Sequence, residues 1–300
     1  MTRTPAPFGR VLTAMVTPFT DSGELDLDAA AALASWLVDQ GNDGLVVNGT
    51  TGESPTTTRQ EQAELVRAVV DAVGDRAHVV AGVGSNDTAH TVELSQDAAK
   101  AGAAGLLSVT PYYSRPPDDG LVAHYERSAA ATDLPVMLYD IPGRTGRALS
   151  HEVLLRLAEH PQIVAVKDAK DDVAATALLL AATDYAVYSG TDALNLPLLS
   201  VGAVGMVSVV SHVVTRQLVE LVDAYERGDV DRARAVNRSL QPVYTGMFRT
   251  QGVILAKAAL RLLGRPVGPV RLPLVDATPE QVAQLRSDLQ GVLELEGAAA

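Results

Sequence analysis

Between residues 11 and 210 a short apolar run, rich in Val, Ile and Leu, gives way eight times to a longer Ala- and Leu-rich stretch. That alternation constrains the fold more than any other feature. The apolar runs are 11–18, 44–50, 78–84, 105–112, 135–141, 163–169, 185–191 and 206–210. Between them, segments of helical length cover about 28–40, 58–73, 88–102, 119–131, 151–159, 172–183, 193–202 and 212–227. Several open on a capping residue: Asp28, Thr58, Thr88, Ser150 and Asp172. The runs are near-continuously apolar, as strands are when both faces of a sheet are covered. Eight β-then-α units of this kind predict a parallel sheet closed into an α/β TIM (β/α)8 barrel. After residue 228 the strand-like runs stop. Residues 229–263 and 278–294 predict helices joined by a Gly- and Pro-punctuated connection at 264–273. The expected division is a barrel over 1–228 and a C-terminal helical extension over 229–300.

Composition narrows the function classes. A net charge of -12 and a pI near 4.9 argue against nucleic acid and anionic membrane surfaces as partners. The chain has no cysteine, so neither a disulfide framework nor a thiolate metal site is available. No stretch approaches the ~20 apolar residues of a membrane span. The apolar segment 11–16 is short and meets Pro18, unlike a secretory leader. A cytoplasmic enzyme is the expectation. The six histidines include no His-x-His or His-x-x-x-His pair, so a metal site is not expected.

In such a barrel chemistry gathers at the C-terminal ends of the strands. The unusual residues fall there: Gly49-Thr50-Thr51-Gly52-Glu53, Thr110-Pro111-Tyr112-Tyr113, Tyr139-Asp140-Ile141-Pro142-Gly143-Arg144-Thr145, Lys167, and Ser189-Gly190-Thr191-Asp192. Lys167 is one of only four lysines and closes the apolar run 163–166. A lysine at a strand end is often a surface or salt-bridged group. In a dry barrel mouth it is an amine nucleophile whose pKa burial lowers. The Gly-rich turn at 49–53 follows a strand and precedes a helix, where amides and hydroxyls converge on an anion. No Gly-Lys-Ser/Thr follows, so a small carboxylate suits it better than a triphosphate. Tyr139 reads either as a core tyrosine or as a proton carrier. Arg144, behind Pro-Gly in a loop, is either solvated or placed for bidentate carboxylate binding.

These motifs, and the twenty-eight-residue step from Tyr139 to Lys167, resemble the pyruvate-dependent class I aldolase family of dihydrodipicolinate synthase and N-acetylneuraminate lyase. The resemblance runs from Val11 to the C-terminal helices. Pro142-Gly143-Arg144-Thr145 and Tyr112-Tyr113-Ser114-Arg115-Pro116 are similar to the synthase branch. The resemblance implies that Lys167 forms a Schiff base with pyruvate and that Thr50 and Thr51 hold its carboxylate. It implies a proton relay of Tyr139, Thr50 and Tyr113, with Tyr113 coming from a neighbouring subunit of a homotetramer built as a dimer of dimers. Arg144 would receive the carboxylate of L-aspartate 4-semialdehyde, and the backbone at Gly190 and Val207 would line the pocket. The implied reaction is condensation to 4-hydroxy-tetrahydrodipicolinate in lysine (diaminopimelate) biosynthesis, with no cofactor. The loop Val209-Val210-Ser211-His212 departs from the family pattern, which leaves the pocket wall open.

Other readings are an aldolase acting on a sugar acid such as 2-keto-3-deoxygluconate, and a silent barrel that senses a keto acid; fold alone permits the latter. A metal-dependent barrel hydrolase ranks last, for want of ligands. In family members inhibited by lysine the effector binds beside the second tyrosine pair at the dimer interface. Ser54, Asn86 and Tyr112 match that site, but His90 stands where those members have an acidic residue. Arg59 and Gln62 replace two histidines, so weak or absent lysine feedback is expected.

Overall fold

The computed structural model describes residues 5–297. Eight parallel strands close into a barrel in sequence order. They are β1 (Val11–Ala14), β2 (Gly44–Val47), β3 (His78–Gly82), β4 (Gly105–Val109), β5 (Val136–Asp140), β6 (Ile163–Asp168), β7 (Ala186–Ser189) and β8 (Gly205–Ser208). Each apolar run pairs over only its first part. Beyond the paired segment the run continues as loop at the barrel mouth; Tyr139, Asp140, Lys167 and Ser189 hold the last paired positions of their strands, and the other unusual residues sit in the loops just beyond. Side chains alternate between two buried layers. Leu12, Val46, Val80, Leu107, Met137 and Ala165 fill the inside of the barrel. Their neighbours Val11, Leu45, Val79, Leu106, Val136 and Val166 pack outward against the helices. Both faces are dry, which is why the runs read as continuous.

The helices between strands begin where a side chain can accept an orphan amide. Thr58, Ser150 and Asp172 cap as expected, and Thr58 forms a reciprocal capping box with Glu61. Two expected caps move. Asp26 rather than Asp28 caps the first helix, accepting from the Ala29 amide at 2.9 Å. Asp87 rather than Thr88 caps the third: Asp87 has the extended backbone of a cap and accepts from the Ala89 amide at 2.9 Å, while the Thr88 hydroxyl meets His124 Nδ1 at 2.9 Å.

After β8 a long helix (Ser211–Glu226) completes the eighth unit. The segment expected to be helical over 229–263 holds three helices, Val230–Ser239, Gln241–Gly246 and Gly252–Leu262, followed by Pro279–Gly297. Pro242 starts the second of these, where its missing N–H is harmless. The chain then turns through 247–251 before the third helix begins. That turn carries Phe248 and Gln251 to the barrel mouth.

Candidate active site

A cavity of about 470 Å³ opens at the C-terminal end of the barrel. Lys167, Tyr139, Thr50, Thr51, Arg144 and Gly190 all line it. The order of the sheet explains the central pair. Tyr139 on β5 lies opposite Lys167 on β6 in register, and Tyr188 on β7 flanks Lys167 on its other side. The Lys167 ammonium lies 4.2 Å from the centre of the Tyr139 ring. Gly190 has no side chain for a specific reason: a Cβ there would stand 3.1 Å from Lys167 Cγ and 3.0 Å from Asp168 O. The end of β7 can therefore close against the lysine stem.

Lys167 is 5% exposed, and among the described residues it forms no ion pair. Burial lowers its pKa from 10.5 to about 8; the carboxylate of Asp192 opposes that shift and the Arg144 guanidinium adds to it. The bias, about 3 kcal/mol at 1.36 kcal/mol per unit, leaves a usable fraction of free amine near neutral pH. Burial pushes the Tyr139 phenol up to about 12, against Arg144 and a hydrogen bond with the Thr50 side chain. Tyr139 therefore stays protonated in the resting site. A phenol that stays uncharged can pass protons to and from the free-amine fraction of Lys167 without itself stranding a charge in a dry pocket.

Asp192 was legible as a strand-end acid, but its role was not. It is 3% exposed and accepts from Ser208 Oγ, from the Val209 and Val210 amides at 3.0 and 3.2 Å, and from Asn195 Nδ2 at 3.3 Å. It thus ties the end of β7 to the end of β8 while facing Lys167 electrostatically. The β8 loop is fixed from the other side too. His212 Nε2 accepts from the Val16 amide at 3.1 Å and its Nδ1 donates to Val209 O at 2.7 Å. From β8 the cavity is lined by Val209. Val207, whose backbone was expected to line the pocket, is a buried residue of the barrel interior on β8. The other unanticipated wall comes from the C-terminal helices, through Tyr244, Phe248 and Gln251.

Lys170 stands between Asp140 and Asp168, 3.6 and 3.4 Å from their carboxylates. Those aspartates face each other in register one residue beyond Tyr139 and Lys167. Burial pushes Asp140 up to about 6, with Lys170 resisting. Lys100 is a surface group beside Asp97.

Tyr113 is not brought together with the others. It is 90% exposed, and both it and Arg115 hold left-handed φ angles, +70° and +49°. Beside the main cavity lies a second of about 420 Å³, which shares Thr50, Ile141 and Arg144 with it. Ser54, Gln62, His90 and Tyr112 line this second cavity; Asn86 and Arg59 do not. Arg59 instead pairs with Glu93 at 2.7 Å and Asp97 at 2.5 Å, so its charge is already answered. Among the described residues no three His, Asp or Glu side chains gather as metal ligands, and no helix is long and apolar enough to cross a membrane.

Known proteins match this chain along almost all of its length. The model of the Dihydrodipicolinate synthetase family matches residues 7–292. A curated 4-hydroxy-tetrahydrodipicolinate synthase of Acidothermus cellulolyticus is 68% identical over 285 residues, 95% of this chain and 92% of that one. A dihydrodipicolinate synthase structure from Cyanidioschyzon merolae, with lysine bound, is 44% identical with a TM-score of 0.93, covering 95% and 98% of the two chains. A protein described as the first monomeric dihydrodipicolinate synthase variant is 38% identical with a TM-score of 0.92, covering 95% and 97%. With a family match over residues 7–292, relatives at this identity and the barrel mouth described above, the chain belongs to the dihydrodipicolinate synthetase family.

Proposed function

We propose that the chain condenses pyruvate with L-aspartate 4-semialdehyde to 4-hydroxy-tetrahydrodipicolinate, the reaction for which its curated relatives are named. The Lys167 amine attacks C2 of pyruvate and water leaves, giving an imine. The protonated imine withdraws electrons, C3 loses a proton, and the resulting enamine attacks the aldehyde carbon of the second substrate. The amino group of that substrate then adds to the imine carbon and expels Lys167, closing the ring. Thr50 and Thr51, at the turn after β2, hold the pyruvate carboxylate. Tyr139, hydrogen-bonded with Thr50, moves the protons. Arg144 takes the carboxylate of the semialdehyde, which favours this substrate over a polyol aldehyde. Tyr113 completes the relay in a neighbouring subunit of a homotetramer, and the enzyme works in the cytoplasm.

The observation that carries this reading is the buried, unpaired Lys167 against the Tyr139 ring. A mere binder of keto acids has no use for an amine held near neutrality at this expense in stability. The test is borohydride reduction with pyruvate followed by peptide mapping. Covalent mass at Lys167 alone among the four lysines is the expected result; mass elsewhere, or none, overturns it.

A further inference from the structure

The loop that carries Thr50 and Thr51 is held from outside the barrel by a charged pair far apart in sequence. Glu53 has a left-handed φ of +56°, an unusual state for a residue with a side chain. Its amide donates to Thr50 O at 3.2 Å, so its backbone and that of Thr50 move together. Its carboxylate is buried and pairs with Lys257 Nζ at 2.7 Å, on the helix Gly252–Leu262. Lys257 is itself 0% exposed, lies 4.3 Å from the Phe19 ring centre and donates to Pro269 O at 2.7 Å. The second Glu53 oxygen accepts from the Arg271 amide at 2.8 Å. Thr17 Oγ1 holds the neighbouring Gly52 carbonyl at 2.5 Å. Neither Glu53 nor Lys257 lines the cavity.

We propose that Glu53 and Lys257 are a positioning pair that sets Thr50 and Thr51 in the cavity, giving the C-terminal helices control over how well the site holds a small carboxylate. The proposal rests on the reading of Thr50 and Thr51 as the pyruvate carboxylate site. A buried ion pair fixes direction as well as distance, because each group loses its compensation if the other shifts. A surface staple would allow the turn to drift, and drifts of about 1 Å in substrate-positioning groups are felt strongly.

The test uses the full-length protein and three variants: Glu53→Gln, Lys257→Met and the double variant. Glu53→Gln keeps the side-chain shape, and the unpaired Lys257 can shed its proton, its pKa being already lowered by burial. The double variant leaves no unpaired buried charge and carries the test if a single variant fails to fold. The readout is the pyruvate concentration that gives half-maximal borohydride trapping at Lys167, beside kcat and the melting temperature. The expected result is a rise of about tenfold in that concentration for Glu53→Gln and for the double variant, with kcat within about threefold. The rise persists in the double variant even though its melting temperature recovers. Recovery of both quantities together, an unchanged half-saturation, or failure of the double variant to fold makes the pair a structural staple and overturns the proposal. Absence of trapping in the unaltered protein instead overturns the reading of Lys167, a distinguishable outcome.

Discussion

Lys167 and Lys257 lie in two dry regions of the same molecule and differ in what meets the ammonium. At the floor of the mouth, Lys167 has an aromatic ring and the through-space influence of the Asp192 carboxylate but, among the described residues, no ion pair. In the seam between the C-terminal helices and the loop after β2, Lys257 meets Glu53 and a backbone carbonyl, each at 2.7 Å. Burial lowers both lysines. Only in the second does the fold answer the charge. Burial alone therefore does not mark a reactive amine; burial without compensation does, and a fold tolerates it only where the strain is used.

The largest expected effect tests the reactive side of that contrast. Lys167→Ala should lower kcat/KM by about 10⁴-fold or more and abolish trapping with pyruvate, as removal of a nucleophile does elsewhere. Trapping that survives and moves to Lys257 would erase the distinction between the two environments.

Stability should divide the lysines in opposite directions. Lys257→Met leaves Glu53 buried and unpaired, and is expected to destabilise the fold by about 3–5 kcal/mol. Lys167→Met removes an uncompensated ammonium and should stabilise it by about 1–3 kcal/mol at pH 7. The pH dependence follows the same sign. With its folded pKa lowered to about 8 from 10.5, Lys167 contributes stability that is fully present above pH 10.5 and lost as pH falls through about 8. Urea titrations at pH 7 and 10 should show that gain in the unaltered protein, and a smaller one in Lys167→Met, where only Lys257 still carries a lowered pKa.

How much of this contrast was legible in the chain depends on distance along it. The barrel announced itself because every strand is buried on both faces, so each apolar run was visible on its own. Lys167 and Tyr139 were legible for the same reason, as polar residues interrupting such runs. Lys257 was not, because it sits on a helix whose neighbours Ile254, Leu255 and Ala258 are ordinary core residues. Its partner is brought close only by the closing of the fold. The first helix cap shows a smaller version of this: Asp26 and Asp28 are chemically equal, and only backbone geometry selects between them.

The next effect sharpens what the uncompensated lysine is for. Arg144→Ala should keep the pyruvate imine but lose condensation, by roughly 30- to 1000-fold in the second-substrate kinetics for a lost contact worth about 2–4 kcal/mol. Unchanged kinetics with aspartate semialdehyde would shift the substrate toward a sugar-acid aldehyde.

The smallest effect concerns the neighbouring cavity. Its rim offers His90, half-exposed and 3.8 Å from Glu93, where an ammonium ligand needs a carboxylate facing inward. Millimolar L-lysine is expected to change the initial rate by less than about twofold, since an effector without its counter-charge falls short of the usual 1–3 kcal/mol of coupling. Sub-millimolar inhibition would mean that Glu93 turns from His90 and Arg59 to serve the ligand.

The Tyr113 loop carries one more consequence. A tyrosine 90% exposed, on a backbone that is left-handed at two nearby positions, is presented outward. On the proposed sharing of that residue between subunits, catalytic competence becomes a matter of mass action. Specific activity should fall as the enzyme is diluted through its dissociation range and return on reconcentration. Tyr113→Phe should lower the plateau of that curve and leave its midpoint in place.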